Sequence, residues 1–510
     1  MDTFLQKHED KITGVLSCPD RVLFKGHLSF GYPEAMEAFM NRQGLLLKDF
    51  KNFCKGESQR VKRHAVNMCE RAGRPYMYLN HFQRKENLAR EIAERDGVAE
   101  GLICVLGTLE SCASFKLRYG EGRPRLAHAR PKCLCLYFYF LDREFGFMHV
   151  RLQTWFPFTL QVYMNGHDWL ARKLDCHQVG YTAIDNALTF IEDPKRAQRF
   201  ADNFAKRNWP RILDAFARRA NPLLKDLLAG HSYYWVADQF EYATDVMFKD
   251  RHTLKGLYKE LLEHATLCFG AEDVLVFLGR KLNGNFKGEV LNHKQKRQQG
   301  ARVKHRMKEN WIKMYDKFGS VLRIETVINR PYEFRVRRQG MRRGKTVMGW
   351  FPMAKGVANL PRYGEVCMAA NRRYLRALAA VNDPSEAIEE LPSLAQPVRK
   401  AGKSHRGFNP LSCTDIRLFA AVLRGEHNIM GFRNKDIRCR LFPGTKRQQL
   451  ARRQSARVSR LLRILHVHRL IAKIPRSRLW RVTERGMKLM STAITMFKKH
   501  YPEQYAKCEA

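Results

Sequence analysis

Two hydrophobic periods alternate along the first 280 residues. From Arg84 to Arg95 (RKENLAREIAER) apolar positions recur at helical spacing, and two more amphipathic stretches lie between Asp193-Pro194 and Gly230. The first of these opens with an aspartate cap and a proline at the first helical position. Between the helical regions the period falls to two: LICVLGTL, CLCLYFYFL, FMHVRLQTWF and FTLQVYMN read as strands, separated by turn residues such as Gly120-Glu121-Gly122 and Asp142-Arg143-Glu144. NGHDWLARKL then reads as a helix. Further on, 302–306, 311–315 and 321–328 read as successive strands, the last two joined by DKFGS at 316–320. The pattern predicts an α+β fold around an antiparallel sheet with helical insertions.

Residues 382–410 (NDPSEAIEELPSLAQPVRKAGKSHRGFNP) are rich in Pro, Gly and Ser, show little periodicity, and read as a linker. Beyond them Thr414-Asp415 can cap a helix through IRLFAAVLRG, and Asn434 can cap a short second one, KDIRCRLF, stopped at Pro443-Gly444. From about 448 to 470 a third helix follows, with Val458, Leu461, Leu462 and Leu465 on one face and Arg452, Arg453, Arg457, Arg460 and Arg463 around the rest. Two short apolar runs, LIAKI and LWRVT, flank a basic tip at Pro475-Arg476-Ser477-Arg478, and a new helix begins after WRVTERG. Three helices, a two-stranded hairpin and a closing helix, over about 85 residues from Thr414 to Met496, resemble the winged-helix DNA-binding domain of the MarR-like kind. The resemblance implies a third helix in the major groove and a wing on the backbone or minor groove. It assigns nucleic-acid contact to Arg452, Arg453, Arg457, Arg460, Arg476 and Arg478. A protein-interaction module with a solvated arginine face is the other reading. The organisation expected is multidomain: an α+β sheet domain at 1–185, a helical region at 186–280, a basic strand meander and helix at 281–381, a linker at 382–411 and a C-terminal winged helix-turn-helix at 412–510.

Charge narrows the partner. Lys+Arg number 92 against 50 Asp+Glu, a formal net charge of +42, and an excess of one sign on that scale calls for a polyanion. Hydrophobic residues at 45% are enough for packed cores and exclude a disordered polycation. The excess is uneven: residues 401–510 carry 25 Lys+Arg and 6 Asp+Glu, a net +19, so the C-terminal fifth is the densest in positive charge. The longest apolar run, Leu134 to Leu141, is too short for a membrane helix, which needs about 18 residues. The first residues lack an apolar signal core, so the expected location is the reducing cytoplasm, without membrane. Thirteen cysteines contain no CxxC; Cys133-x-Cys135 alternates to one side of a strand, as buried free thiols or as half of a zinc site.

Candidate binding chemistry falls in two further places. On the strand FMHVRLQTWF, His149, Arg151 and Gln153 share one face, with Tyr137, Tyr139 and Trp155 available for stacking; this is a solvent-facing strand or a surface for nucleic acid through Arg151 and Trp155. Asp142 and Glu144 at the adjoining turn are possible metal ligands. The second place is Lys287 to Arg343. Its first 27 residues, Lys287 to Lys313, hold nine basic residues and two acidic ones, and Lys296, Arg297, Arg302, Lys304, Arg306, Arg342 and Arg343 are the expected contacts.

Within that stretch, IKMYDKFGSVLRIETVI resembles, over some 20 residues, a hairpin of phage and plasmid replication-initiation proteins, which nick one DNA strand. The resemblance implies a tyrosine nucleophile and a divalent metal. Asp316, Lys317, Arg323 and Glu325 match the motif, and Tyr315, Asp316 and Glu325 become catalytic candidates; an ion pair between Glu325 and Arg323 or a nearby lysine is the structural alternative. In YYWVADQFEYATDVMF, Asp238, Glu241 and Asp245 stand at i, i+3 and i+7, on a helix one sector, where Mg²⁺ or Mn²⁺ would relieve their repulsion and serve phosphodiester cleavage; the chain's surplus lysine and arginine could relieve it equally, and part of the stretch reads as strand as well as helix. Two functions follow. One is a DNA-binding protein of mobile-element or phage type, joining the winged helix to a metal-dependent endonuclease or strand-nicking core. The other is non-catalytic, a DNA-binding regulator or a ribonucleoprotein component on structured RNA.

Overall fold

The computed structural model describes residues 2–80, 84–119, 123–267, 269–280, 290–297, 300–342, 344–379, 390–400, 402–424, 427, 431–444, 448–474 and 477–500. It is a mixed α/β protein with a large mixed sheet. In chain order the strands are β1 (Ile12–His27), β2 (Tyr76–Tyr78), β3 (Gly101–Ser111), β4 (Ser114–Arg118), β5 (Arg125–Ala129), β6 (Lys132–Asp142), β7 (Gly146–Gln153), β8 (Leu160–Asn165), β9 (Tyr181–Ile184), β10 (Ala187–Ile191), β11 (Tyr234–Phe248), β12 (Val290–Arg297), β13 (Gly300–Met307), β14 (Asn310–Lys317), β15 (Val321–Ile328), β16 (Arg335–Arg342) and β17 (Lys345–Pro352). Two compact units are each assembled from segments distant in sequence: 16–243 with 327–367, and 1–15 with 244–326 and 368–510. Among the described residues no helix is long and apolar enough to cross a membrane.

In the unit of 16–243 and 327–367 the strand order is β11-β1-β8-β7-β6-β3-β2. From β1 to β3 the neighbours pair antiparallel, whereas β2 runs parallel to β3. The four strands expected from period-two alternation are β3, β6, β7 and β8. The helix expected after them is Gly166–Cys176, and the Asn165 side chain accepts from the amides of His167 and Asp168 to start it. Gly166 is required there, because a Cβ would sit 2.1 Å from the Pro19 carbonyl oxygen. The two amphipathic helices are Pro194–Phe204 and Trp209–Ala220, the first capped by Asp193 as expected. Phe156 anchors the core, with Phe30, Phe39, Phe50, Phe53 and Phe158 packed around it.

One element departs from expectation. YYWVADQFEYATDVMF forms the long strand β11, not a helix. Trp235, Val236, Phe240, Tyr242, Thr244 and Val246 are strand formers buried on both faces, and tertiary burial decided against a carboxylate spacing that imitates helical period.

In the other unit β12-β13-β14-β15-β11 run in that order, and the expected meander at 302–328 is present as β13, β14 and β15. Phe269, Phe277, His305 and Tyr374 form an aromatic cluster in which His305 Nε2 lies 2.8 Å from the Tyr374 hydroxyl. The C-terminal segment of the same unit supplies helices Cys413–Val422, Asn434–Leu441 and Gln448–Val467, a hairpin pairing Ile471–Lys473 with Trp480–Val482, and helix Glu484–Thr495. Its core gathers Ile416, Phe419, Ile437, Val458, Leu462, Leu465 and Leu489. Leu391, Leu394 and Phe408 join this core, so the stretch expected as a linker is partly structural; residues 382–389 and 401 of it lie outside the described residues. Asn434 caps nothing: its side chain instead bonds the Ser455 carbonyl and the Ser459 hydroxyl, fastening the second helix to the third.

Burial lowers the His305 imidazole from 6.5 to about 3. An unfolded chain protonates this histidine first, so its contribution to stability is complete above about pH 6.5 and is lost as pH falls toward 3. We expect the unfolding free energy to drop by about 2 kcal/mol between pH 7 and pH 5 from this group. Denaturant titrations of wild type and His305→Gln check this: the variant should lose less on acidification, and equal losses would refute it.

Candidate nucleic-acid interface and buried acidic groups

The helix Gln448–Val467 turns Val458, Leu462 and Leu465 inward and leaves Arg452, Arg453, Arg457, Arg460 and Arg463 exposed. Three-to-four-residue spacing requires this division: a buried stripe at 458, 462 and 465 puts the arginines on the opposite surface. Among the described residues none of the five is paired with a carboxylate; Arg457 stacks over the Phe442 ring at 5.7 Å. Arg478, at the hairpin tip, is exposed, and Arg476 lies outside the described residues. The result is a cationic helix face with its charges free to meet phosphate.

The other expected contacts divide. Arg306 is exposed, and Lys304 Nζ sits 3.8 Å from the centre of the Trp311 ring. Arg302 is half-buried beside them on β13, and Arg342 is exposed at the end of β16. The side chains of Lys296 and Arg297 on β12, and residue Arg343, lie outside what is described.

Arg151 is not a surface residue. Its side chain is 11% exposed and pairs with Glu110 at 2.8 Å, while Nη2 also reaches the sulfurs of Cys135 at 3.0 Å and Cys112 at 3.4 Å. Burial raises the Glu110 carboxyl, but hydrogen bonds from Tyr137 and the Arg151 guanidinium outweigh it and hold the group below its ordinary range. Gln153 donates to the carbonyls of Ala113 and Phe156, and Trp155 packs on Cys112, Cys133 and Cys135, which are buried free thiols. The face expected to receive nucleic acid is therefore internal. Helix Lys85–Arg95 covers part of it, placing Ala89 and Ile92 against Tyr139 and Phe147. At the adjoining turn Asp142 accepts from the amides of Glu144 and Phe145, and Glu144 pairs with Lys173 and Arg207.

The carboxylate sector expected on a helix does not form. On β11 the odd spacing directs Asp238 away from the face shared by Glu241 and Asp245. Asp238 binds Lys355 at 2.7 Å. Asp245 holds Arg323 through two bonds, Oδ1 to Nε at 2.6 Å and Oδ2 to Nη2 at 2.7 Å, and Arg323 has no exposed surface. Glu325, 1% exposed, accepts from Lys313 at 2.5 Å and from the Tyr315 hydroxyl. Asp316 accepts from the Gly319 amide and closes the β14–β15 turn. The motif residues at 313–325 thus form an internal ion and hydrogen-bond network, with a lysine on Glu325.

One constellation had no linear signal. Asp20 Oδ1 lies 3.1 Å from His167 Nδ1, and His167 Nε2 lies 3.3 Å from Cys18 Sγ, all three buried. Asn186 donates to the same Asp20 oxygen. Asp20 and Glu241 also bring carboxylate oxygens within 4.8 Å of each other, a separation a metal ion can bridge. Cys18 and Asp20 are two apart, so a strand projects both to one side, but 147 residues separate Asp20 from His167 and nothing local announces the pairing. No protein-family model, curated protein or solved structure matches this chain.

Removing one partner of the buried Asp245–Arg323 pair strands a charge. We expect Arg323→Met to destabilise by about 3–5 kcal/mol, and the joint replacement Asp245→Leu with Arg323→Met to recover most of it. Equilibrium denaturation of the three proteins measures this; an undisturbed single variant would show that the pair contributes nothing.

Proposed function

We propose that this chain is a nucleic-acid-binding protein that engages duplex DNA through its C-terminal segment, with Gln448–Val467 as the recognition helix of a winged helix and the hairpin bearing Arg478 as its wing. One observation carries the reading: five exposed arginines on a single helix face without carboxylate partners among the described residues. Such a face concentrates positive charge, and phosphate meets it with charge-assisted hydrogen bonds and the release of bound counterions. The second helix, fastened through Asn434 to Ser455 and Ser459, holds the third at a set angle, as reading a groove requires. Structured RNA satisfies the same charge and is distinguished by direct comparison.

Binding of a labelled duplex, followed by anisotropy across salt concentrations, tests this. Arg453→Ala with Arg457→Ala should weaken binding on every sequence and reduce the slope of log K against log salt by about two. An unchanged slope would place the contacts elsewhere, and tighter binding to a folded RNA would assign the surface to RNA.

A second reading, metal-dependent strand cleavage, is favoured by the approach of Asp20 to Glu241, since hard oxygen donors suit Mg²⁺ or Mn²⁺. Labelled single- and double-stranded DNA, incubated with either ion, should then yield products that Asp20→Asn and Glu241→Gln abolish. Absence of any metal-dependent product from the wild-type protein would eliminate it.

A further inference from the structure

β16 and β17 pair residue for residue as a two-stranded ribbon, from Arg335 opposite Pro352 to Arg342 opposite Lys345. Opposed residues share a face, so one face carries the pairs Arg335–Pro352, Arg337–Trp350, Gln339–Met348 and Met341–Thr346. All eight side chains are exposed, Trp350 at 66%, Met341 at 67% and Met348 at 61%. The other face is packed by its own side chains near the root, while Val347, Arg342 and Lys345 toward the tip are exposed. Phe351 lies over Gly340 and Gly349, where a Cβ would meet its ring at 2.8 and 3.2 Å, and the Arg338 guanidinium covers that ring at 5.5 Å while Nε bonds the Pro352 carbonyl. At the root Val336, Phe334 and Met353 are buried, and the Met353 amide bonds the Phe334 carbonyl. The ribbon is stiffened on one side and held at its base. Its exposed side presents an indole and two thioethers to water.

An apolar strip of this kind marks a contact surface, and charge identifies the partner. Residues 334–355 contain seven Lys and Arg and no Asp or Glu. Neither Arg335 nor Arg337 has a carboxylate partner among the described residues. The partner must be anionic and must also present flat apolar surfaces. An amphipathic membrane-binding element separates the two properties onto opposite faces, whereas here Arg337 and Trp350 are direct cross-strand neighbours on the same face. A nucleic-acid strand with unpaired bases interleaves phosphate and aromatic surface in that way, and aromatic stacking is its main sequence-tolerant contact.

We propose that the exposed face of the β16–β17 ribbon binds unpaired bases of a nucleic acid, with Trp350 stacking on a base, Met341 and Met348 lining its neighbours, and Arg335 and Arg337 on the adjoining phosphates. The proposal rests on the nucleic-acid reading above and gives it a second, single-strand contact separate from the arginine helix. It also makes the ribbon selective: an intact duplex hides its base faces and has nothing to offer Trp350.

The full-length protein is titrated with a labelled duplex, with the same duplex carrying a central run of mismatched bases, and with a 20-nucleotide single strand prepared as DNA and as RNA. Trp350→Ala should weaken binding to the mismatched duplex and to the preferred single strand by about tenfold or more, leave the intact duplex within about twofold, and leave the melting temperature unchanged. Trp350→Phe should restore most of the loss, because a ring still stacks. The preferred sugar names the source of the unpaired bases. Equal affinity of wild type and Trp350→Ala for all substrates, or an equal loss on intact and mismatched duplex, overturns the ribbon proposal and leaves the helix reading standing. Failure of the wild type to bind any of them overturns both. Loss of binding to phosphatidylserine vesicles alone, with the oligonucleotides unaffected, assigns the ribbon to a membrane surface and overturns the proposal as well.

Discussion

A guanidinium with no exposed surface sits at Arg323, and the two oxygens of Asp245 are what make that position tolerable. The same economy extends through β11, β14 and β15. Lys313 and Tyr315 occupy Glu325, and the Asp316 side chain closes the intervening turn. A chain with 50 acidic residues against 92 basic ones has few carboxylates to spare, and among the described residues Asp20, Glu241, Asp245, Asp273, Glu325, Glu333 and Asp415 are buried. The outward faces keep the cations. Interior pairing and a positive surface are two sides of one charge distribution.

That distribution explains why two basic surfaces are available. On Gln448–Val467 the arginines are separated from the core by helical period, and on β16 by strand period. The two surfaces differ in chemistry. The helix face is nearly all guanidinium, suited to phosphates along a groove, whereas the ribbon mixes arginine with tryptophan and methionine, suited to bases that have left the stack.

Much of the architecture was legible in the amino-acid order because short-range physics determines it. Asn165, Asp193 and Thr483 cap the helices that follow them, and period-two runs became β3, β6, β7 and β8. Local signals misled where burial was total. β11 is buried on both faces, so it shows no clean alternation, and its carboxylates fell by chance at helical spacing. The polar residues of β7 were equally ambiguous: period places His149, Arg151 and Gln153 together but is silent on whether water or helix Lys85–Arg95 lies above that side of the sheet.

The sequence by itself determined the sign and placement of the charge, the helix capped by Asp193, the strand meander at 302–328 and the arginine stripe around Val458, Leu462 and Leu465. Each depends on residues within a turn or two of one another. Tertiary structure alone decided which cations remain free. Arg151 and Arg323 are written like any other arginine, yet the first is spent on Glu110 and the second on Asp245, 41 and 78 residues away. It also brought Asp20 to His167 and laid Phe351 over Gly340, leaving Trp350 uncovered. Long-range pairing depends on which strands become neighbours, and no local pattern records that choice.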